Sequence, residues 1–239
     1  MVTGASRGIG RAAALALARQ GDLIVGTARA MSSFGRLNAE IVQVGGDCWL
    51  CSCELAESTD IQNLTDRIAA RYGRLDGLFI NAGILGPKKP IGSLTPEEFS
   101  GVLAVNVLAS FQLLHRCDEL LRKSSAGRVL LVTSGVAWKR HAGWSPYAVS
   151  KAAIEALAGV YANEIADTNI RVNLISPGPI RTELRSEAWP EEDPSNVPPP
   201  EALGPDIARL LSPEFLGNGL IYDFRSGRNT RPISPQACE

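Results

Sequence analysis

The stretch TGASRGIG, Thr3 to Gly10, opens the chain and runs directly into a segment with helical periodicity, Ile9 to Gln20. Its glycines follow the spacing Gly-x3-Gly-x-Gly, which lets the backbone approach a ligand closely. The following helix would direct free N–H groups and the positive end of its dipole toward the same point. The stretch therefore predicts a loop that holds the phosphates of a nucleotide, although one glycine-rich turn does not prove it.

Apolar strand-like runs alternate with helical stretches along the rest of the chain. Several runs are apolar on both faces, as buried parallel strands are. The predicted strands cover 23–27, 47–50, 78–80, 128–133, 170–175 and 220–224, and the predicted helices cover 9–20, 59–71, 96–121, 147–166 and 201–211. This alternation predicts an α/β protein with a single doubly wound parallel sheet of the Rossmann type, with residues 1–239 forming one domain.

The chemically notable residues all follow predicted strands. In an open parallel sheet, ligands bind outside the carboxyl ends of the strands. Glu54 follows the third strand, Asn81-Ala82-Gly83 the fourth, Ser134 the fifth and Pro177-Gly178 the sixth. Unrelated motifs would scatter over both edges of the sheet, so this convergence indicates one site.

Two arginines indicate which dinucleotide binds. The residue at the end of the second strand contacts the adenosine ribose: an acidic residue bonds a free 2′-hydroxyl, whereas an arginine accommodates a 2′-phosphate. Ala28 and Arg29 occupy this end, and Arg7 lies in the glycine loop. The pattern favours NADP(H) over NAD; the alternative is a pair of solvated surface arginines.

Tyr147 and Lys151 lie four residues apart, at the start of an alanine-rich helical segment and downstream of Ser134. This spacing places a phenol and an ammonium on one face of a helix. A nearby positive charge favours phenolate, so we expect the pKa of Tyr147 to be lowered. Such a phenol can pass a proton to or from a carbonyl or alcohol oxygen. The alternative is a surface tyrosine beside a solvated lysine.

Composition excludes several other classes of protein. The net charge is -1 with both signs dispersed, so neither nucleic acid nor an acidic tail is indicated. No apolar run reaches membrane-spanning length and no signal peptide opens the chain, so we expect a cytoplasmic protein without a membrane partner. The five cysteines are an odd number, and Cys48, Cys51 and Cys53 lack a fourth ligand nearby. We therefore predict no metal site and small thiols packed in the core.

These motifs, in this order and spacing, resemble the short-chain dehydrogenase/reductase family from Thr3 to about Thr182. The resemblance implies that Asn106, Ser134, Tyr147 and Lys151 form a catalytic tetrad. Tyr147 would be the general acid or base, Lys151 would lower its pKa and bond the nicotinamide ribose, Ser134 would orient the substrate oxygen, and Asn106 would hold a relay water. The implied cofactor-binding residues are Gly4, Ser6, Arg7, Gly8, Ile9, Gly10, Arg29, Glu54, Leu55, Asn81, Ala82, Gly83, Tyr147, Lys151, Pro177, Gly178, Ile180 and Thr182.

Each assigned role has a structural alternative. Asn106 could be a buried asparagine bonded to backbone, and Ser134 could cap a turn at a strand end. The chain also departs from the family pattern. Only Met1 and Val2 precede Thr3 where relatives carry a full first strand, so we expect a truncated strand and either missing N-terminal residues or a damaged sheet. The last strand and its end, residues 221–227, lack the valine-aspartate-glycine pattern that is common in tetrameric relatives. We therefore expect a homodimer, and a tetramer stays possible.

The resemblance implies a small carbonyl or alcohol substrate, which the sequence does not identify further. Trp138 and Trp144 precede Tyr147 and suggest a flat or apolar compound, with packing onto neighbouring loops as the alternative. Residues 183–200 predict a loop that covers the substrate, with an ordinary mobile surface loop as the alternative, and residues 228–239 predict a disordered tail. Two functions follow: an NADP(H)-dependent oxidoreductase interconverting a carbonyl and an alcohol, or an NADP(H)-binding sensor or scaffold without turnover.

Overall fold

The structure, a computed structural model, describes residues 1–231. The strands are β1 Val2–Thr3, β2 Ile24–Ala28, β3 Cys48–Ser52, β4 Gly77–Ile80, β5 Arg128–Val132, β6 Arg171–Ser176, β7 Ile221–Asp223 and β8 Arg228–Thr230. The helices are α1 Gly8–Arg19, α2 Gly35–Gln43, α3 Ser58–Tyr72, α4 Pro96–Leu103, α5 Ala109–Arg122, α6 Val136–Lys139, α7 Ser145–Glu164, α8 Glu183–Ala188 and α9 Gly204–Leu210.

All eight strands form one sheet in the order β3-β2-β1-β4-β5-β6-β7-β8. Neighbouring strands are parallel except β7 and β8, which pair antiparallel. One apolar core lies between the sheet and α3, α5 and α7, and the other lies between the opposite face and α1, α2 and α9. This arrangement confirms the predicted doubly wound, Rossmann-type sheet. The strand order reverses at β1 and β4, where such sheets bind their ligands.

The first strand is short, as predicted, but the sheet has no gap beside the glycine loop. Val2 and Thr3 pair with Gly26 and Thr27 of β2, and Val2 also pairs with Phe79 of β4. Val2 and Thr3 are fully buried. The predicted damage to the sheet is therefore wrong at the edge that forms the site, because two residues are enough to join both neighbours there.

The long helix predicted over 96–121 begins as expected but changes its geometry within one turn. The Thr95 hydroxyl accepts from Glu98 N, and the Glu98 carboxylate accepts from Thr95 N, which forms a capping box. Residues Ala104–Leu108 then form a π-helical turn between α4 and α5. Turns of this kind are rare, and they are often found at functional sites.

Two segments differ from their predicted state. The proposed loop over 183–200 contains the helix α8, whose first turn is capped by Thr182 Oγ1 accepting from Arg185 N at 3.1 Å. The disorder predicted from residue 228 is wrong for 228–230, because β8 pairs along the whole of β7. The rest of that prediction, from residue 232 onward, lies outside the described residues. Among residues 1–231, no helix has the length and apolar character of a membrane span.

Candidate active site

The glycine loop makes a turn that side chains would block. Gly4 and Gly8 have φ angles of +64° and +54°, in the left-handed region that favours glycine. A Cβ on Gly10 would lie only 2.2 Å from the carbonyl oxygen of Gly4. Arg7, the residue before α1, makes no side-chain cap, so the first N–H groups of the helix remain available. A cradle of this kind fits a pyrophosphate.

The segment that follows β4 holds this loop in place. Asn81 Nδ2 donates to Thr3 O at 2.9 Å, and the Thr3 hydroxyl accepts from Asn81 N at 3.0 Å and from Ala82 N at 3.1 Å. Thr3 is fully buried, so these bonds fix the end of β4 against the start of the glycine loop. Asn81 and Ala82 therefore brace the loop, and Asn81-Ala82-Gly83 also lines the cleft.

Both predicted ribose-contacting arginines line the cleft. Arg7 forms an exposed ion pair with Glu183 of α8. Arg29 follows β2 and is exposed, and no carboxylate of residues 1–231 lies within ion-pair distance of it. Glu54 and Leu55, after β3, line the same end of the cleft. An anionic group entering this end would therefore meet the Arg29 guanidinium and the Arg7 guanidinium, and the latter is paired with the solvated carboxylate of Glu183.

The structure brings Tyr147 and Lys151 together at the other end of the cleft. Both lie on α7 and are buried, with 8% and 3% of their surfaces exposed. Lys151 Nζ donates to Val132 O at 2.8 Å and lies 5.4 Å from the centre of the Tyr147 ring. The surface-pair alternative is excluded by this burial. A phenol and an ammonium therefore face the same cleft as the glycine loop.

Burial controls the acidity of both groups. It raises the pKa of Tyr147 to about 12, against a smaller opposing effect of the Ser134 hydroxyl. It lowers the pKa of Lys151 to about 8, although the negative charge of Glu155 opposes this shift. The expectation of a lowered Tyr147 pKa is therefore wrong for this structure, because desolvation of the phenolate outweighs the hydrogen bond with Ser134. A phenol with this pKa is protonated at neutral pH and has a proton that it can donate.

Ser134 follows β5 and lines the cleft near Tyr147. Asn106 lies in the π-helical turn and is buried. Its Oδ1 accepts from Ile84 N at 2.9 Å, and its Nδ2 donates to Ile84 O at 3.0 Å and to Ser150 Oγ at 2.9 Å. The side chain of Asn106 is thus engaged with the backbone after β4, as the structural alternative describes. Its relay role stays a prediction.

The segment after β6 forms the wall facing the glycine loop. Gly178 has a φ angle of +68°, and a Cβ there would lie 2.8 Å from Cγ of Arg225. Ile180 is buried, and Thr182 lies 3.3 Å from the position of a Cβ on Gly8. The predicted residues Pro177, Gly178, Ile180 and Thr182 therefore line the same cleft as the glycine loop. Sequence reasoning did not find Arg225, which no motif marks.

An aromatic wall that sequence reasoning only partly found stands beside Tyr147. Trp144 lies 4.6 Å from Trp189 and 6.4 Å from Tyr147 between ring centres. Lys88 Nζ donates to Ala188 O at the end of α8 and lies 5.2 Å from the Trp144 ring. Trp189 appeared in the sequence as a lone aromatic among polar residues, so only the fold could place it here.

The cysteine cluster belongs to the core and its edge. Cys51 and Cys53 are buried, Cys48 is half-buried, and burial raises the pKa of Cys53 to about 12. Residues 1–231 contain no group of three or more potential ligands arranged to hold a metal ion. The two buried thiols pack with the side chains of α3, as expected for small apolar groups.

The whole arrangement is one cleft of about 1970 Å³ along the carboxyl edge of the sheet. It runs from Arg29 past the glycine loop to Tyr147 and Trp189. A doubly wound sheet with this cleft defines a dinucleotide-fold protein. A model of the family "short chain dehydrogenase" matches residues 1–193, and the chain belongs to this family.

Known relatives cover nearly the whole chain. The uncharacterized oxidoreductase YciK of Escherichia coli K12 is 35% identical over 232 residues, which are 95% of this chain and 92% of that protein. The 7alpha-hydroxysteroid dehydrogenase of the same strain is 30% identical over 93% of this chain and 85% of its own length. A short chain dehydrogenase from Shigella flexneri 2a, solved in complex with NADP, has a TM-score of 0.88 at 35% identity and covers 93% of this chain and 94% of its own.

Proposed function

We propose that this protein is an NADP(H)-dependent oxidoreductase that interconverts a carbonyl compound and an alcohol, with Tyr147 as the general acid or base. The observation that carries the proposal is the buried Tyr147–Lys151 pair, which faces the same cleft as the glycine loop. Membership of an oxidoreductase family and similarity to a structure solved with NADP support it.

The residues of the cleft fit the proposed cofactor. The glycine loop and the N-terminus of α1 would hold the pyrophosphate, since a Cβ at Gly10 would fill the space that the backbone needs. Arg29, with Arg7, would bind the 2′-phosphate, because a guanidinium matches phosphate geometry. Lys151 would hold the nicotinamide ribose. When bound, NADP(H) supplies or accepts a hydride.

The chain's own residues handle the proton. Because burial raises the pKa of Tyr147 to about 12, the phenol is protonated at neutral pH and can donate to a carbonyl oxygen during reduction. Ser134 would orient that oxygen. A charged Lys151 beside the ring stabilises the phenolate left behind, so loss of the ammonium proton above about pH 8 should slow reduction.

The wall beside Tyr147 supports a flat, apolar carbonyl substrate. Trp144 and Trp189 pack at 4.6 Å between ring centres. Buried Val136 and Ala188 lie in the same apolar cluster. Aromatic surface of this kind favours stacking with planar groups over contact with small polar ones. The bound compound would lie against this wall with its carbonyl oxygen toward the phenol.

Two adjoining helices support the expected homodimer. Leu108 and Phe111, at the π turn and in α5, are about half exposed, and so are Val149 and Val160 on α7. Large apolar side chains clustered on an outer helical face commonly mark an interface. Leu108 and Phe111 are three residues apart and Val149 and Val160 eleven, so each pair lies on one helical face, and a second copy packed along α5 and α7 would cover both pairs.

The proposal is tested by mixing the protein with NADPH and a panel of carbonyl compounds and following the absorbance of the reduced nicotinamide. Tyr147→Phe should abolish turnover and retain NADPH binding. Tyr72→Phe is the matched control, because the Tyr72 hydroxyl is buried without a hydrogen-bond partner among residues 1–231 and lies outside the cleft. NADPH binding without turnover of any compound would instead favour the sensor or scaffold.

The 2′-phosphate assignment has a separate test. Arg29→Asp should weaken NADPH binding far more than NADH binding, because only NADPH carries the phosphate. Arg19→Asp, an exposed substitution at the end of α1, should leave both affinities unchanged. Equal loss of both cofactors in Arg29→Asp would refute the assignment.

A further inference from the structure

Glu155 is a buried carboxylate for which the proposed chemistry has no task. It lies on α7, one helical turn after Lys151 and two turns after Tyr147, so the three side chains share one face of the helix. Only 9% of the residue is exposed. Buried carboxylates are rare unless they are paired, so the partners of Glu155 indicate its role.

Its two oxygens bond two residues on either side of Ser134. Oε1 accepts from the Thr133 hydroxyl at 2.5 Å, and Oε2 accepts from Trp138 Nε1 at 2.8 Å. Thr133 immediately precedes Ser134 at the end of β5, and Trp138 lies in α6 and lines the cleft. Glu155 thus ties both ends of the segment that carries Ser134 to the helix that carries Tyr147.

Lys151 completes this connection. Its Nζ donates to Val132 O, the residue before Thr133, at 2.8 Å. Two successive residues of one strand end are therefore held by two successive turns of α7. A shift of α7 along the strand would break the bonds of Glu155 and Lys151 together, which fixes the distance between Ser134 and Tyr147.

Glu155 also provides a counter-charge. Its negative charge favours the ammonium form of Lys151, against the effect of burial. Burial raises the pKa of Glu155 above its usual value, although the bonds from Thr133 and Trp138 and then the charge of Lys151 oppose this shift. Among residues 1–231, Glu155 is the one charged side chain that shifts the pKa of Lys151, and the neighbouring Tyr147 and Gly83 carry no charge at neutral pH.

We propose that Glu155 is a positioning residue of the oxidoreductase site, which clamps the Ser134 segment to α7 and places a negative charge one helical turn from Lys151. The inference rests on the proposed function for its effect on turnover. Its effect on Lys151 can be measured without cofactor or substrate.

The test uses Glu155→Gln, which keeps the size of the side chain and one acceptor oxygen but removes the charge. The titration of Lys151 is followed by NMR of the lysine Cε signals, assigned by the signal missing in Lys151→Met. We expect the pKa of Lys151 to fall by roughly one unit, the lower end of the effect of a close opposite charge. Because the pKa of Lys151 starts at about 8, the ratio of the wild-type kcat to the variant kcat should rise from near 1 at pH 6 to about 5 at pH 8.

Two further variants separate charge from packing. Glu155→Asp keeps the charge but is too short to reach both donors. The Lys151 titration should therefore match that of the wild type, while KM for the carbonyl should rise because the Ser134 segment is no longer held at both ends. Glu164→Gln removes a charge from the exposed end of α7 and should change neither quantity. An unchanged Lys151 titration together with a ratio independent of pH in Glu155→Gln would overturn the inference. Absence of turnover in the wild-type protein would contradict the proposed function instead, and the NMR titration would still decide the role of Glu155.

Discussion

Replacing Gly10 with alanine should disable the cofactor cradle while leaving the protein folded. The added Cβ would lie 2.2 Å from Gly4 O and 2.6 Å from Asn81 Nδ2, whereas contacts under 3.0 Å essentially never occur. The loop and α1 must therefore separate by at least 0.8 Å, the difference between 3.0 and 2.2 Å. Asn81 Nδ2 bonds Thr3 O at 2.9 Å, so the brace from β4 must move as well.

The magnitude follows from two costs. Overpacking of this kind costs about 1–3 kcal/mol, and the higher helix propensity of alanine returns about 1 kcal/mol, so Tm should fall by up to about 8 °C. Backbone donors displaced by most of an ångström lose their bonds to the pyrophosphate. Two such charge-assisted bonds correspond to a loss of NADPH affinity of roughly 100-fold or more.

The assay is a titration of nicotinamide fluorescence, paired with thermal unfolding. Gly101→Ala is the matched control: Gly101 also lies inside a helix, but a Cβ there would meet nothing within 4 Å. It should raise Tm by about 2–4 °C and leave NADPH affinity unchanged. Wild-type affinity in Gly10→Ala would refute the argument that backbone approach at this loop binds the pyrophosphate.

Three further predictions concern the interface, the buried lysine and the aromatic wall. Phe111→Glu should convert a dimer into a monomer by light scattering, whereas Leu216→Glu, at an exposed apolar residue outside α5 and α7, should not; a dimeric Phe111→Glu protein would exclude this interface. Lys151→Met should abolish turnover. It should also stabilise the fold below pH 8 by up to about 3 kcal/mol, because burying the ammonium, which lowers its pKa to about 8, costs free energy of folding. The loss of the hydrogen bond to Val132 reduces this gain. That gain should shrink as the pH rises toward 10.5, where the unfolded lysine also loses its proton, and chemical denaturation at pH 7 and pH 10 measures it; an equal gain at both would contradict the charge argument. Trp144→Ala should raise KM for aromatic carbonyl compounds by about 2–10-fold and leave KM for short aliphatic aldehydes unchanged. Steady-state kinetics with one aromatic and one aliphatic compound measures this difference, and an equal rise in KM for both would contradict the stacking argument.

Most of the fold could be predicted because apolar runs typical of buried strands alternate with amphipathic helical stretches along the sequence. The helix α2, Gly35–Gln43, was missed because only Leu37 and Ile41 mark its buried face. The helix α8 was missed because its acidic, proline-rich surroundings resemble a loop. The strand β8 was missed because all three of its residues are exposed and polar, and only pairing with β7 defines it.

The site was predictable in its members but less so in its electrostatics. Spacing alone brought Tyr147 and Lys151 onto one face of a helix. The depth of burial, which decides the direction of the Tyr147 pKa, depends on loops such as those carrying Trp144 and Trp189. Glu155 lies at a spacing from Lys151 that was visible in the sequence. The role of Glu155 could not be predicted from the sequence, because Thr133 and Trp138 contact it only in the folded protein.

The π-helical turn Ala104–Leu108 holds one residue more than an α-helical turn would. Deleting one residue within this turn should therefore restore ordinary α-helical bonding and leave the helices on either side in nearly their present orientation. Leu113 and Leu114 would stay buried, and Phe111 would keep its outward position. A deletion inside regular α5 would instead rotate everything that follows by about 100° and shift it by about 1.5 Å, so it should be tolerated far less.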